Sequence, residues 1–329
     1  MSNANVTYQT ILSAGQFVTG VRQDAGTDQP VVLTGNYQPT QGAQQQALLY
    51  RGPLFPTDSS GYAYLTPVFK GQTVTTSTFY GPNTPLFNPG IGKGNVRAVG
   101  SYKYAEASDS TADHGMMYEG AFDGSGKWTA LDIPKDVAGG IVFYTIAHST
   151  MGDLVVGNFD ITGQAASAAA FIYDIRTQSF SKLSLGPLTT AYGIWQNGGD
   201  GSNAYTIVGG YKGETGINVG FVLDYDAATK KISNVTNYSY QGKPGIVTHF
   251  EGISAIESGY CLAAMADPGT AFVTIGRNSD GTFTDAKWVP VAYPTSDGPS
   301  TGNTVIDNNL MGIMTTDSGV QSYLAVIKA

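Results

Sequence analysis

Along this chain of 329 residues the apolar positions come in short runs, bounded by Gly, Asp, Asn and Ser. Nowhere do they form a stripe at helical spacing for four turns, so short strands joined by tight turns are predicted throughout. The turns are legible as well. Asp123-Gly124-Ser125-Gly126 and Ser279-Asp280-Gly281 consist of residues that tolerate positive φ and so permit hairpins. Charged residues make up 13% of the chain, far from the Glu-, Lys- and Arg-rich surfaces of helices. The fold class is all-β.

One pattern repeats: an apolar residue, a small residue, any residue, an aromatic. It reads Thr34-Gly35-Asn36-Tyr37, Val99-Gly100-Ser101-Tyr102, Val156-Gly157-Asn158-Phe159 and Val208-Gly209-Gly210-Tyr211, with weaker copies at Leu262-Ala263-Ala264-Met265 and Met311-Gly312-Ile313-Met314. The small residue advances in steps of 65, 57, 52, 54 and 49, and the stretch from 312 through the C-terminus and on to 35 is again 52. A unit length that closes on itself suits a ring. Each unit then carries a second apolar run such as Ala170-Phe171-Ile172-Tyr173, a turn, and a third strand such as Lys127-Trp128-Thr129-Ala130-Leu131; a further strand, such as Ala191-Tyr192-Gly193-Ile194-Trp195, precedes the small-residue strand. Four short antiparallel strands per unit of about fifty residues make a propeller blade. The prediction is a single six-bladed β-propeller domain over residues 1–329. Its sixth blade is short, and the strand Val6-Thr7-Tyr8-Gln9-Thr10-Ile11-Leu12 completes it beside the strand around Tyr323, which hides both edges. This organisation resembles the bacterial extracellular repeats of the HAF type, a resemblance that implies a propeller and assigns no chemistry.

In propellers the innermost strands line a central channel, and ligands bind at its mouth. Aligning the six inner strands on a shared small or polar position gives Gly20, Gly81, Thr145, Gly193, Gly252 and Asn303, preceded by Thr19, Tyr80, Tyr144, Tyr192, Glu251 and Gly302. Tyrosine offers an apolar face and a hydroxyl, which suits a small organic or sugar ligand; packing between blades is the other reading of the three tyrosines. His249 and Glu251 stand at i and i+2 of a strand, on one side, with Phe250 opposite. A glutamate in an apolar, aromatic mouth can act as general acid or base, with the imidazole as its neighbour; the alternative is a pair that fastens two blades. Tyr80, Tyr144, Tyr192, Trp195, Phe250 and Asn303 are the expected walls of the pocket.

The segment His249-Phe250-Glu251-Gly252-Ile253, followed by Gly259-Tyr260 and a small-residue strand, resembles the stretch of strictosidine synthase that bears its catalytic glutamate. That resemblance implies an acid/base role for Glu251 and covers about thirty residues. Here it falls in the fifth blade with about eighty residues still to come, whereas in that family it lies later. Six-bladed lactonases of the regucalcin type hold calcium with Glu, Asn and Asp at the tops of inner strands. Here Glu251 and Asn303 are suitable, with Asp297 or Asp307 from loops, whereas calcium asks for six to eight oxygens. No metal is therefore assigned and no cofactor expected, calcium being the one alternative. His114, His148 and His249 lack zinc-ligand spacing.

The remaining composition narrows the partners. A formal charge of −8 argues against nucleic acid. No run of eighteen apolar residues exists to span a bilayer, and Met1-Ser-Asn-Ala carries no basic and apolar leader. The scarcity of Lys beside much Asn, Thr and Tyr points outside the cytoplasm, extracellular or periplasmic, and a monomer is expected. Cys261, the one cysteine, sits in the apolar run Tyr260-Cys261-Leu262-Ala263-Ala264 and reads as a buried, inert thiol. Gly90-Ile91-Gly92-Lys93-Gly94 is a loop without the helix a phosphate site needs. The functional expectation is a cofactor-free enzyme using Glu251 on a small organic molecule. A carbohydrate- or protein-binding propeller and a calcium-dependent lactonase-like hydrolase are the alternatives.

Overall fold

The computed structural model describes residues 5–24, 30–56, 60–161, 168–294, 298, 300–316 and 319–328. They form six antiparallel sheets of four strands each, an all-β six-bladed propeller. The only α-helix among the described residues is the single turn Lys135–Ala138. Backbone contacts divide the chain into two compact units, residues 14–184 and residues 185–329 together with 1–13. Each holds three blades.

In the first unit, blade 1 runs through Gln16–Gln23, Val31–Tyr37, Gln46–Gly52 and Tyr62–Leu65, from the innermost strand outward. Blade 2 follows with Val74–Asn83, Val96–Tyr104, His114–Gly120 and Lys127–Ala130, and blade 3 with Val142–Met151, Leu154–Ile161, Ala169–Asp174 and Ser179–Leu183. Apolar clusters fill the spaces between successive blades. Leu49, Phe79, Tyr102, Met116 and Tyr118 pack between blades 1 and 2, and Leu131, Ala147, Val155, Phe159 and Phe171 between blades 2 and 3. Middle strands are covered on both faces, and so they read as continuous apolar runs rather than as alternation.

The second unit begins with blade 4, Thr190–Gln196, Ala204–Lys212, Asn218–Asp226 and Lys231–Tyr238, and blade 5, Thr248–Ile256, Gly259–Ala266, Gly269–Gly276 and Lys287–Val291. Blade 6 has Thr304–Ile306, Asn309–Thr316 and Gly319–Ile327, and its outermost strand is Val6–Ile11 from the other end of the chain. Val6 faces Ile327 and Thr10 faces Tyr323, the pairing expected from sequence. Tyr8 adds a side-chain tie, its hydroxyl accepting the Ala292 N–H at 3.1 Å.

The repeated small residue has a steric cause. A Cβ on Gly35, Gly100, Gly157, Gly209 or Gly312 would run into a backbone carbonyl oxygen of its own blade's inner segment: Phe17, Thr78, Ile146, Thr190 and Thr301 respectively. The second strand of each blade is pressed against the first where the latter bulges. In blade 5 the residue opposite the start of the bulge is Ala264, paired with Phe250, one position later than the repeat alone suggests.

Candidate functional site

Five inner strands carry an extra residue at one shared place. In the first unit the register skips between Val18 and Gly20, Phe79 and Gly81, and Ala147 and Ser149; in the second it skips between Ala191 and Gly193 and between Phe250 and Gly252. The residues inside the skips are Thr19, Tyr80 and His148, then Tyr192 and Glu251. In blade 6, Asn303 holds the same place: it precedes Thr304, which pairs with Met311. A Cβ on Gly252 would lie 3.1 Å from the Asn303 carbonyl oxygen, just as one on Gly81 would lie 2.6 Å from that of His148. A bulge takes one residue off the hydrogen-bonded ladder and re-aims its side chain. Six inner residues thus stand outside the regular register, three per unit.

Two positions of the sequence alignment are corrected by this geometry. In blade 3 the bulge residue is His148, not Tyr144, and in blade 6 it is Asn303, not Gly302. The hairpin turn Gly152-Asp153 closes the pair Met151 and Leu154, and counting back from it places His148 opposite the step from Val156 to Gly157. That count was available in the sequence. Tyr144 lies four residues earlier on the same strand; burial pushes its phenol up, and the carboxylates of Asp160 and Asp113 add to the effect. Tyr80 lies with its ring 5.0 Å from that of His148 in the first unit.

The second unit holds the pair His249 and Glu251. His249 Nε2 is 2.7 Å from Glu251 Oε1, and the two side chains are 26% and 23% exposed, so each is accessible yet mostly enclosed. The Tyr192 ring stands 5.4 Å from the imidazole. His249 fits against bare backbone: a Cβ on Gly210 would come within 2.6 Å of its own Cβ. Across the ladder from His249 is Met265, whose sulfur accepts the Gly302 N–H at 3.1 Å and the Thr270 hydroxyl at 3.3 Å. The residue beside Asn303 is therefore fixed to the strand that pairs with the one carrying the histidine. Burial alone would lower the His249 pKa, but the hydrogen bond and charge of Glu251 outweigh it, and the net shift is upward.

Two predicted wall residues lie elsewhere. Phe250 is fully buried in the apolar cluster between blades 4 and 5, stacked on Trp288 at 6.0 Å and edge-on to Tyr238 at 6.0 Å. Strand alternation sends it to the face opposite its neighbours, so it supports the pair from behind and meets no ligand. Trp195 is three residues beyond Tyr192, about 10 Å along the strand. It lines a separate cleft with Asn197, Tyr260 and Arg277.

Among the described residues no group of three or more His, Cys, Asp or Glu side chains could share a metal ion; Asp297, one of the loop candidates for calcium, lies outside them. Burial pushes the Cys261 thiol up to about 12, the nearby Asp307 adding to it, as an inert thiol requires. Among the described residues no helix is long and apolar enough to cross a membrane.

No family model and no curated sequence matches the chain. Solved structures do. One is a protein of unknown function from Dyadobacter fermentans, 10% identical, covering 99% of this chain and 100% of that one at a TM-score of 0.50. Another is the extracellular domain of a hybrid two-component system from B. thetaiotaomicron, 12% identical, covering 96% of this chain and 39% of that one at 0.41. A third is a glucose dehydrogenase, 11% identical over 98% of this chain and 99% of that one, at 0.46. The chain spans about two fifths of the two-component domain. At these identities the likeness is one of fold. Neither the HAF-type nor the strictosidine synthase resemblance becomes membership of a family.

The second unit thus offers a carboxylate that accepts protons, an imidazole that can donate to it, a phenol beside them and an amide on the next inner segment. With the pair only a quarter exposed, its hydrogen bond is stronger than it would be in open water. Of the residues expected from sequence, Tyr192, Glu251 and Asn303 hold bulge positions here with His249 beside Glu251, and in the first unit His148 holds that position in blade 3.

Proposed function

We propose that this propeller is an enzyme that works without an organic cofactor, moving a proton on a small polar organic molecule bound beside the inner-strand bulges of blades 4, 5 and 6. Glu251 is the group that takes and returns the proton. His249 orients it and stabilises its charged form, and Tyr192 and Asn303 position the ligand. The observation that carries this reading is the 2.7 Å contact between His249 Nε2 and Glu251 Oε1 at a bulge. A bulge there re-aims a side chain next to a site, and a positioned carboxylate with a tuning partner is the apparatus of general acid–base catalysis. The resemblance of residues 249–253 to strictosidine synthase agrees with the role of Glu251. The scarcity of Lys supports a place of action outside the cytoplasm.

The test is a substrate screen over esters, lactones, glycosides and amine–aldehyde pairs, followed by Glu251→Gln. Proton transfer by a positioned side chain contributes about 10²–10⁴-fold. Turnover in Glu251→Gln is therefore expected to fall at least a hundredfold, with substrate affinity within a factor of about three. Equal turnover in Glu251→Gln and the parent would remove the proposal, as would a screen with no substrate in any of the four classes.

A further inference from the structure

A second cleft opens where the inner strands of blades 4 and 5 finish, the end away from His249. Its volume is about 810 Å³, and Trp195, Asp224, Asp226, Ser233, Glu257 and Arg277 are among its lining residues. That size is within the range of ligand pockets, about 300–1,000 Å³.

The floor is a closed network. Asp224 accepts Arg277 Nη2 and Thr206 Oγ1 on one oxygen, and Arg277 Nη1 at 2.8 Å and Asn234 Nδ2 at 2.7 Å on the other. The same guanidinium donates to the Gly281 carbonyl oxygen at 2.8 Å, to Thr206 Oγ1 at 2.9 Å and to the Tyr260 hydroxyl at 3.1 Å. It also lies over the Phe283 ring at 4.3 Å. Tyr260 in turn donates to Asn197 Oδ1 at 2.6 Å. Blades 4 and 5 are pinned together by these bonds. The cation and the carboxylate that look most suited to a ligand are already consumed.

What faces the cleft beyond this floor is selective. Asp226 uses one oxygen on Thr229, whose N–H and hydroxyl both approach at 2.7 Å. Glu257 is exposed, and Ser233, Ser258 and the Trp195 ring complete the wall. Asp226 and Glu257 bring carboxylate acceptors and Ser233 and Ser258 hydroxyls, and Trp195, Ala255 and Ile256 line the same cleft. A ligand must therefore bring hydrogen-bond donors and an apolar face. An anionic ligand would meet two carboxylates and find no uncommitted guanidinium to pair with.

We propose that this cleft binds a carbohydrate chain, neutral or carrying amino groups, with Trp195 as the stacking platform and Asp226 and Glu257 as acceptors for its hydroxyl or ammonium protons. None of these residues belongs to the His249 site, so the two assignments stand or fall separately.

Titration calorimetry with a glucosamine trimer and, in parallel, an oligogalacturonate of equal length tests this. The glucosamine trimer is expected to bind and to change the tryptophan fluorescence, and the oligogalacturonate to bind at least tenfold more weakly. Trp195→Ala is expected to weaken the trimer at least tenfold. Since Trp195 also leans on the core between blades 4 and 5, Glu257→Lys at an exposed position is the companion variant: it should keep the melting temperature and weaken the trimer at least fivefold. Failure of the trimer to bind at millimolar concentration overturns the assignment. So does equal binding of the uronate, or parent-like affinity in both variants.

Discussion

Replacing Gly81 by alanine tests the bulge geometry on which the site rests. The new methyl carbon would lie 2.6 Å from the His148 carbonyl oxygen and 2.8 Å from the Ser149 Cα, where ordinary contact begins at 3.4 Å. The shortfalls, 3.4 less 2.6 and 3.4 less 2.8, are about 0.8 and 0.6 Å. Both obstacles are backbone atoms of a paired strand, so neither can swing aside as a side chain would. Blade 3 must shift or the bulge must flatten. Forcing an extra carbon into a filled interior costs about 1–3 kcal/mol, and the lost backbone freedom of glycine in the unfolded chain returns about 0.4–1 kcal/mol. Gly81→Ala should therefore destabilise by about 1–2 kcal/mol, seen as a lower urea midpoint and a melting temperature lower by about 2–8 °C. Gly245→Ala is the matched control, because nothing lies within 4 Å of its Cβ; it should be neutral or slightly stabilising. A Gly81→Ala protein as stable as Gly245→Ala would refute the close approach of the inner strands and, with it, the alignment of the bulge residues.

Two further outcomes follow from packing and charge. Phe250→Ala removes a fully buried ring and should cost about 3–5 kcal/mol in urea unfolding; a cost below 1 kcal/mol would mean that the ring is a mobile pocket wall after all. His249 has a folded pKa above its ordinary value of 6.5, so its stabilising contribution is full below that value and is lost as pH rises through the folded pKa. The gap in melting temperature between the parent and His249→Gln should accordingly be widest near pH 5.5 and shrink toward pH 9, and a gap that widens with pH would contradict the ion pair.

The fold was legible because its cause is local and repeated. Gly35, Gly100, Gly157, Gly209 and Gly312 are small for one steric reason, and their spacing carries the blade length. The pairing of Val6–Ile11 with Gly319–Ile327 followed from counting strands. The site was legible only in part. Alternation along a strand placed His249 and Glu251 together, yet the same alternation put Phe250 in the core, where its aromatic character serves packing. Trp195 was assigned by residue type, while its height along the strand sends it to another cleft. Tyr144 came from aligning Thr145 with the small residues Gly81 and Gly193, and the structural equivalent, His148, shares no side-chain character with Tyr80 and Tyr192. Register in that hairpin is set by its turn, so a match of residue types could not reveal it.

The bulges explain why chemistry can vary on a scaffold this constrained. On the paired part of an inner strand, each side chain must fit a neighbouring blade, and Phe79, Ala147 and Ile194 are accordingly wholly buried. The residue inside a bulge stands outside the regular register, and the glycine that follows it at 20, 81, 193 and 252 takes the close approach. Threonine, tyrosine and histidine occupy this place in the first unit, and tyrosine, glutamate and asparagine in the second, with no common size or polarity. Positions under packing constraint converge on one residue type, as the repeated glycines do; positions under chemical demand diverge. Glu251 falls in the diverging set, with His249 2.7 Å away, and the proposed proton transfer rests on that placement. In this second unit the saturated network of Asp224, on the third strand of blade 4, and Arg277, just past the third strand of blade 5, pins those blades together.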